Sequence, residues 1–169
     1  MWCVVYAGDK KEQKTERFIA YLLQGKARAK CFLLEKDRLY KKSGIWHNVR
    51  ERLFPGYVFI DTDEPEVVYK LLEETPKSLL FSDSWKICVL DKNEETFLEG
   101  IIDPNGLVGI SDVYIQEDRT VLFLSGPLVK IPDRVKRIDL HRRFAEVYLN
   151  FPYGKETLRL GIRFSCTGC

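Results

Sequence analysis

The sequence predicts an α+β protein in two parts: an N-terminal antiparallel sheet carrying helices, of the split β-α-β kind, followed by a small all-β barrel. Three observations predict it. Apolar residues at helical spacing alternate with short strand-like runs through the first hundred residues. Asp103-Pro104-Asn105-Gly106 then supplies a strong turn signal. Beyond it the helical period vanishes, and five short apolar runs separated by turns follow in fewer than sixty residues. These place a first domain at residues 1–103, a linker at 104–110 and a second domain at 111–169.

In chain order, Trp2 to Tyr6 is a short run of Trp, Val and Tyr that suits a buried strand, and Gly8-Asp9 breaks it. From Lys10 to Gln24 the apolar positions Phe18, Ile19, Leu22 and Leu23 line one face of a helix, which ends at Gly25. Lys30 to Tyr40 reads as a strand. Lys41-Lys42-Ser43-Gly44 then opens a hairpin-like excursion that returns through Val49. Phe54 to Ile60 is the most aromatic strand, with an irregular start at Pro55-Gly56. Alternation with period two puts Val58 and Ile60 in the core and leaves Tyr57 and Phe59 exposed or half-exposed. A helix from Glu64, with Pro65 early and acids in its first turn, turns Val67, Val68, Leu71 and Leu72 inward and stops before Pro76. Ile87 to Leu90 is a strand, and Asp91 caps a third helix that runs to about Ile102. The second domain has strands at 113–115, 121–124, 135–138, 144–149 and 158–164.

The composition is globular, with 45% hydrophobic and 31% charged residues. No run resembles a signal peptide or a membrane span. Five widely spread cysteines in such a chain read as reduced thiols of a cytoplasmic protein. The net charge of +2 conceals polarity along the chain: +7 over residues 1–60, −8 over 61–110, −2 over 111–124 and +5 over 125–169. Two basic segments flanking an acidic middle point to separate surfaces with separate tasks, with scattered surface charge as the alternative.

The chain resembles the NusG family of transcription elongation factors, in which an NGN domain precedes a KOW domain. Arg52-Leu53-Phe54-Pro55-Gly56-Tyr57-Val58-Phe59-Ile60 is close to the family's Phe-Pro-Gly-Tyr-Val strand, and the opening Trp2-Cys3-Val4-Val5-Tyr6 with its following helix supports it. Leu124-Ser125-Gly126-Pro127-Leu128, Val135-Lys136-Arg137-Ile138-Asp139 and Arg143-Phe144-Ala145-Glu146-Val147 follow the KOW pattern. Within the family, the Ser-Gly-Pro-Leu turn and the basic run after it look more like LoaP, an operon-targeted antiterminator, than the housekeeping factor. Two positions depart from the pattern: a KOW domain has a glycine near Asp133, and LoaP-like sequences have another at Lys130.

The resemblance implies RNA polymerase as partner, docked by its clamp helices on an apolar surface made here by Tyr6, Phe54, Pro55, Tyr57 and Phe59. It also places the 41–52 stretch near non-template DNA. The residues there suit that partner, because cations track phosphates while a ring stacks on a base: Lys41, Lys42, Trp46, Arg50 and Arg52 are the candidate contacts. An ordinary solvated hairpin tip is the alternative. In the second domain Lys130, Arg134, Lys136, Arg137, His141, Arg142 and Arg143 crowd into fourteen residues. That density argues for RNA, and the LoaP likeness implies a nascent hairpin. A basic face of general affinity is the alternative. The expected function is antitermination by a monomer bridging polymerase and RNA. The alternatives are a housekeeping elongation factor whose KOW domain binds a termination helicase or ribosomal protein, and a ribosome-associated KOW protein.

No enzyme is expected, and no cofactor or metal. His47 and His141 are the only histidines, and neither stands in order with a Ser or Cys nucleophile. Gly154-Lys155 lacks phosphate-loop spacing. Cys166-Thr167-Gly168-Cys169 lacks a second ligand pair, and the acids of 61–103 read as helix-terminal and solvent-facing charge.

Overall fold

The computed structural model describes residues 1–76 and 86–165. These pack as two compact units: Met1–Leu34 with Phe54–Glu95, and Glu35–Leu53 with Thr96–Cys169. The Cys166–Cys169 pair lies outside the described residues.

The first unit is built on an antiparallel sheet in the order β2-β5-β1-β6, formed by β1 (Trp2–Tyr6), β2 (Ala29–Phe32), β5 (Tyr57–Thr62) and β6 (Ile87–Val89). Helices α1 (Glu12–Leu23) and α2 (Pro65–Glu73) cover one face. Cys3, Val5, Val58 and Ile60 of that face meet Ile19 and Leu23 of α1 and Val68 and Leu72 of α2, all at most 2% exposed. Val67, expected inward, is exposed, because the buried stripe of so short a helix is set by Val68 and Leu72, four residues apart. The alternation read from Tyr57 to Ile60 holds, but the opposite face is not open to solvent at Phe59. Trp2, Phe32 and Phe54 place their rings 6.0, 5.7 and 5.5 Å from that of Phe59, which is 0% exposed. The expectation that Phe59 is exposed or half-exposed is therefore corrected: the sheet is apolar on both faces.

The 30–40 stretch is two strands and not one. The chain leaves β2 at Phe32, passes Leu33-Leu34, and enters a long hairpin of β3 (Glu35–Lys42) and β4 (Ile45–Arg52), which belongs to the second unit. Ser43 (φ 51°) and Gly44 (φ 82°) form its two-residue turn, where left-handed backbone matches the strand twist. The third helix, α3 (Lys92–Ile101), follows β6. Residues 104–110, expected as a linker, are structured. Asp103 Oδ1 accepts from the amides of Asn105 and Leu107 at 2.8 and 2.9 Å, and β7 (Leu107–Val108) pairs in parallel with Glu35 and Lys36 of β3.

The five strands expected after residue 110 all form: β8 (Ser111–Ile115), β9 (Val121–Ser125), β10 (Val135–Asp139), β11 (Phe144–Phe151) and β12 (Gly154–Phe164). They make one sheet in the order β10-β11-β12-β8-β9, with β12 and β8 parallel and the other pairs antiparallel. Ala145, Val147 and Leu149 of β11 alternate into a core with Leu158, Leu160 and Ile162 of β12. Two glycines are dictated by close approach. Gly126 (φ 85°) would place a Cβ 2.6 Å from the Ser111 Cα, and Gly161 would place one 2.8 Å from the Asp37 carbonyl oxygen, where β12 passes β3. Among the described residues no helix is long and apolar enough to cross a membrane.

Candidate nucleic-acid interface

The aromatic strand is anchored by a turn that requires glycine at position 56. Gly56 (φ 86°) donates its amide to Glu12 Oε1 at 2.6 Å and accepts from the Ala7 amide at 2.7 Å. A Cβ there would meet the Tyr6 ring at 2.7 Å. Tyr6 and Tyr57 are half-buried with ring centroids 5.1 Å apart, and Pro55 is exposed. Phe54 and Phe59 are buried. Of the five residues assigned to polymerase binding, then, three reach the surface and two form the layer beneath.

The basic residues separate into those engaged elsewhere within the chain or pointing to solvent and those that line one cleft. Arg50 and Arg52 oppose Asp37 and Glu35 directly across the hairpin and are ion-paired with them, Arg50 through two bonds of 2.9 and 3.2 Å. Cross-strand pairs of this kind stiffen the ribbon and cancel local field. Lys130 donates from Nζ to the Gly100 carbonyl in the last turn of α3 at 2.9 Å, and the Arg134 guanidinium lies 4.7 Å from the Phe97 ring centre. Arg137 sits 3.7 Å from Asp139 and 3.8 Å from Glu146. Lys42 and Lys136 are exposed.

The rest converge. The β3–β4 hairpin and the turn between β10 and β11 border one cleft of about 550 Å³ in the second unit. Lys41 and Trp46 line it from the tip of the hairpin, and His141, Arg142 and Arg143 from the turn. The two groups are nearly a hundred residues apart in sequence, and sequence reading had assigned one to DNA and the other to RNA. Arg143 takes left-handed backbone (φ 56°), and its guanidinium lies between two rings, 4.1 Å from Trp46 and 4.8 Å from Phe164. Arg142 is fixed through its backbone, its amide donating to Asp139 Oδ1 at 2.8 Å. That hydrogen bond holds the Asp139 carboxyl below its ordinary pKa.

Sequence reading missed Arg38, Tyr40, Glu51, Phe144 and Arg159, which also line the cleft. Tyr40 is 50% exposed beside Lys41-Lys42, a ring next to paired cations, and that adjacency was the available signal. The Arg159 guanidinium stacks 5.1 Å from Phe144 and pairs with Glu146 at 3.2 Å. Arg38 donates to Glu51 at 2.7 Å. Lys36 anchors the hairpin below the cleft: its Nζ donates to the Arg159 carbonyl at 3.0 Å and lies 3.5 Å from Glu51. Burial lowers its pKa, against the pull of Glu51. Five formal cations and one carboxylate line the cleft among the described residues. Such a concave surface attracts polyanions and offers rings to bases.

Cys3, Cys31 and Cys88 are free thiols; burial raises Cys3 and pushes Cys31 up to about 12, so neither is a ready nucleophile at neutral pH. Among the described residues no cluster of His, Cys, Asp and Glu could hold a metal ion.

No curated protein matches this chain. A solved structure described as domain interaction in Thermotoga maritima NusG aligns over 95% of this chain and 92% of that one, at 17% identity and a TM-score of 0.42. Residues 1–97, more than half of the chain, match the family model described as transcription termination factor nusG. This chain therefore belongs to the NusG family of transcription factors.

Proposed function

We infer that this chain is an antitermination factor of the LoaP kind, a binding protein without a catalytic step that works in the cytoplasm on RNA polymerase. Its NGN part engages the clamp helices of the largest subunit through Tyr6, Pro55 and Tyr57, with Phe54 and Phe59 holding the strand in shape from below. Its KOW strands read a hairpin in the nascent RNA. Joining two modest interfaces in one chain raises the effective concentration of the second, so polymerase that has transcribed the RNA element keeps the factor bound past a terminator. The observation carrying this reading is the cluster of Lys41, Arg142 and Arg143, for which no ion pair exists among the described residues, beside the exposed ring of Tyr40 and the half-buried ring of Trp46.

A housekeeping role, with the KOW part binding a protein, is favoured by one observation. Lys130, Arg134, Arg137 and Arg143 are engaged within the chain, so residues 130–143 present less free charge than their count suggests. The test is transcription of a terminator-bearing template by purified polymerase with the full chain, with and without a structured leader upstream. Readthrough confined to the leader template supports antitermination guided by RNA. Equal effects on both templates support the housekeeping role, and co-purification without polymerase supports a ribosome-associated one.

A further inference from the structure

We propose that the cleft between the β3–β4 hairpin and the β10–β11 turn is a single binding site for an unpaired nucleotide of an RNA loop. In it a base stacks on the exposed ring of Tyr40, the Trp46–Arg143 pair forms the wall on the other face of the ribbon, and the flanking phosphates lie on Lys41 and Arg142. This deepens the RNA-binding reading above and rests on it. Sequence reading assigned the hairpin to DNA and the turn to RNA, whereas the structure places both sets in one cleft.

Four observations carry the assignment. A volume of about 550 Å³ lies in the range of small-molecule sites, roughly 300–1,000 Å³, and suits a nucleotide rather than a duplex. An A-form helix presents its phosphates and its shallow groove on a convex surface, so a concave cleft selects unstacked bases. The wall is already built: Arg143 is held between Trp46 and Phe164 at 4.1 and 4.8 Å, and left-handed backbone fixes where it projects. Little side-chain freedom remains there for a ligand to remove. Tyr40, half exposed, lines the cleft from the ribbon face opposite Trp46, because it pairs with His47 while Lys41 pairs with Trp46, and Arg38, 5.7 Å from its ring centre, is already bound to Glu51. Finally, the cations divide as such a site requires. Those at the base of the hairpin, Arg50 and Arg52, are neutralised by Asp37 and Glu35, whereas no carboxylate among the described residues is within ion-pair distance of Lys41, Arg142 or Arg143.

The test uses the full chain and three fluorescein-labelled probes read by anisotropy. They are an RNA stem–loop with about eight unpaired nucleotides, within the footprint of one small binding fold, the same RNA fully paired, and the DNA stem–loop of identical sequence. Tyr40→Ala is expected to weaken the RNA stem–loop about tenfold, the change that follows loss of one base stack, and Trp46→Ala about threefold or more, by releasing Arg143 from the wall. The paired RNA should change by less than twofold. Tyr40→Phe should retain binding, which separates lost stacking from lost folding, and Lys26→Ala, an exposed cation of the first unit, should have no effect. Trp46→Ala combined with Arg143→Ala should cost less than the product of the single effects, because the two side chains make one wall.

Stem–loop binding that persists within twofold in both ring variants overturns the cleft while leaving the RNA reading intact. Failure of the wild-type chain to bind any RNA removes that reading as well. Equal affinity for the DNA stem–loop overturns the assignment to RNA and makes displaced single-stranded DNA the ligand.

Discussion

Strand β5 with its preceding turn and the β3–β4 hairpin are both rich in aromatic residues, yet they end in opposite environments. In β5, Phe59 is enclosed by Trp2, Phe32 and Phe54, and its ring contributes only to the core. In the hairpin, Tyr40 stays half exposed, and Trp46 meets Arg143 instead of another ring. The difference lies in what the second face of each sheet meets. The four-stranded sheet is apolar on both faces, so every ring has an apolar neighbour. The hairpin is a ribbon of charged cross-strand pairs, and its rings find guanidinium groups. A ring among cations is a recognition surface, whereas a ring among rings stabilises the fold.

The largest test of that contrast is on β5. Phe59→Ala should lower stability by about 3–5 kcal/mol, the usual cost of emptying a buried aromatic site, while Tyr57→Ala costs about 1 kcal/mol or less. Urea unfolding measures both. An unchanged midpoint for Phe59→Ala combined with lost polymerase binding would make β5 a surface after all.

Next comes the frame of the second unit. Gly126→Ala adds a Cβ against backbone at 2.6 Å in a left-handed conformation. The expected loss is roughly 2–4 kcal/mol, from strain of about 1–2 kcal/mol plus overpacking, and thermal melting should report it.

A smaller effect separates spent from available charge. Lys41→Ala and Arg142→Ala should each flatten the dependence of log affinity on log salt for single-stranded RNA by about 0.7, one phosphate contact apiece. Arg50→Ala, whose charge faces Asp37, should alter it far less. Equal slopes for all three variants would erase the distinction between the two sets of cations.

The smallest expected effect concerns acid stability. Bonds from Arg163 at 2.7 Å and from Ser125 at 2.7 Å hold the Asp112 carboxyl below its ordinary 3.8. A depressed folded-state pKa means that the contribution is complete above the unfolded value and disappears as pH falls through the folded one. The melting temperature should therefore decline below about pH 4, and Asp112→Asn should flatten that acid limb and leave its slope above pH 5 unchanged.

Much of the fold was legible because hydrophobic periodicity is local. The spacing of Ile19 and Leu23 marks α1, and alternation from Ala145 to Leu149 marks β11. The break at Leu33-Leu34 was not legible, since an unbroken apolar run carries no sign of where a strand changes sheet. Nor was the length of the hairpin. Its strands are mostly charged, and they are held by pairs such as Glu35 with Arg52 that only the register brings opposite each other. At the candidate site the cations and Trp46 were visible as residue types. Tyr40, Phe144 and Arg159 were not singled out, because nothing in their own segments says that those segments meet.

The sequence by itself determined the α+β class, the turn signal at residue 103, the five C-terminal strands and the basic character of two segments, all from composition and period within a few residues. The tertiary structure decided which aromatic residues are covered, which cations are neutralised, and that the hairpin and the β10–β11 turn share a cleft. Burial and ion pairing depend on what lies across from a side chain. That neighbour is set by long-range packing, such as the crossing of β3 over Gly161, where the absence of a side chain lets two backbones approach.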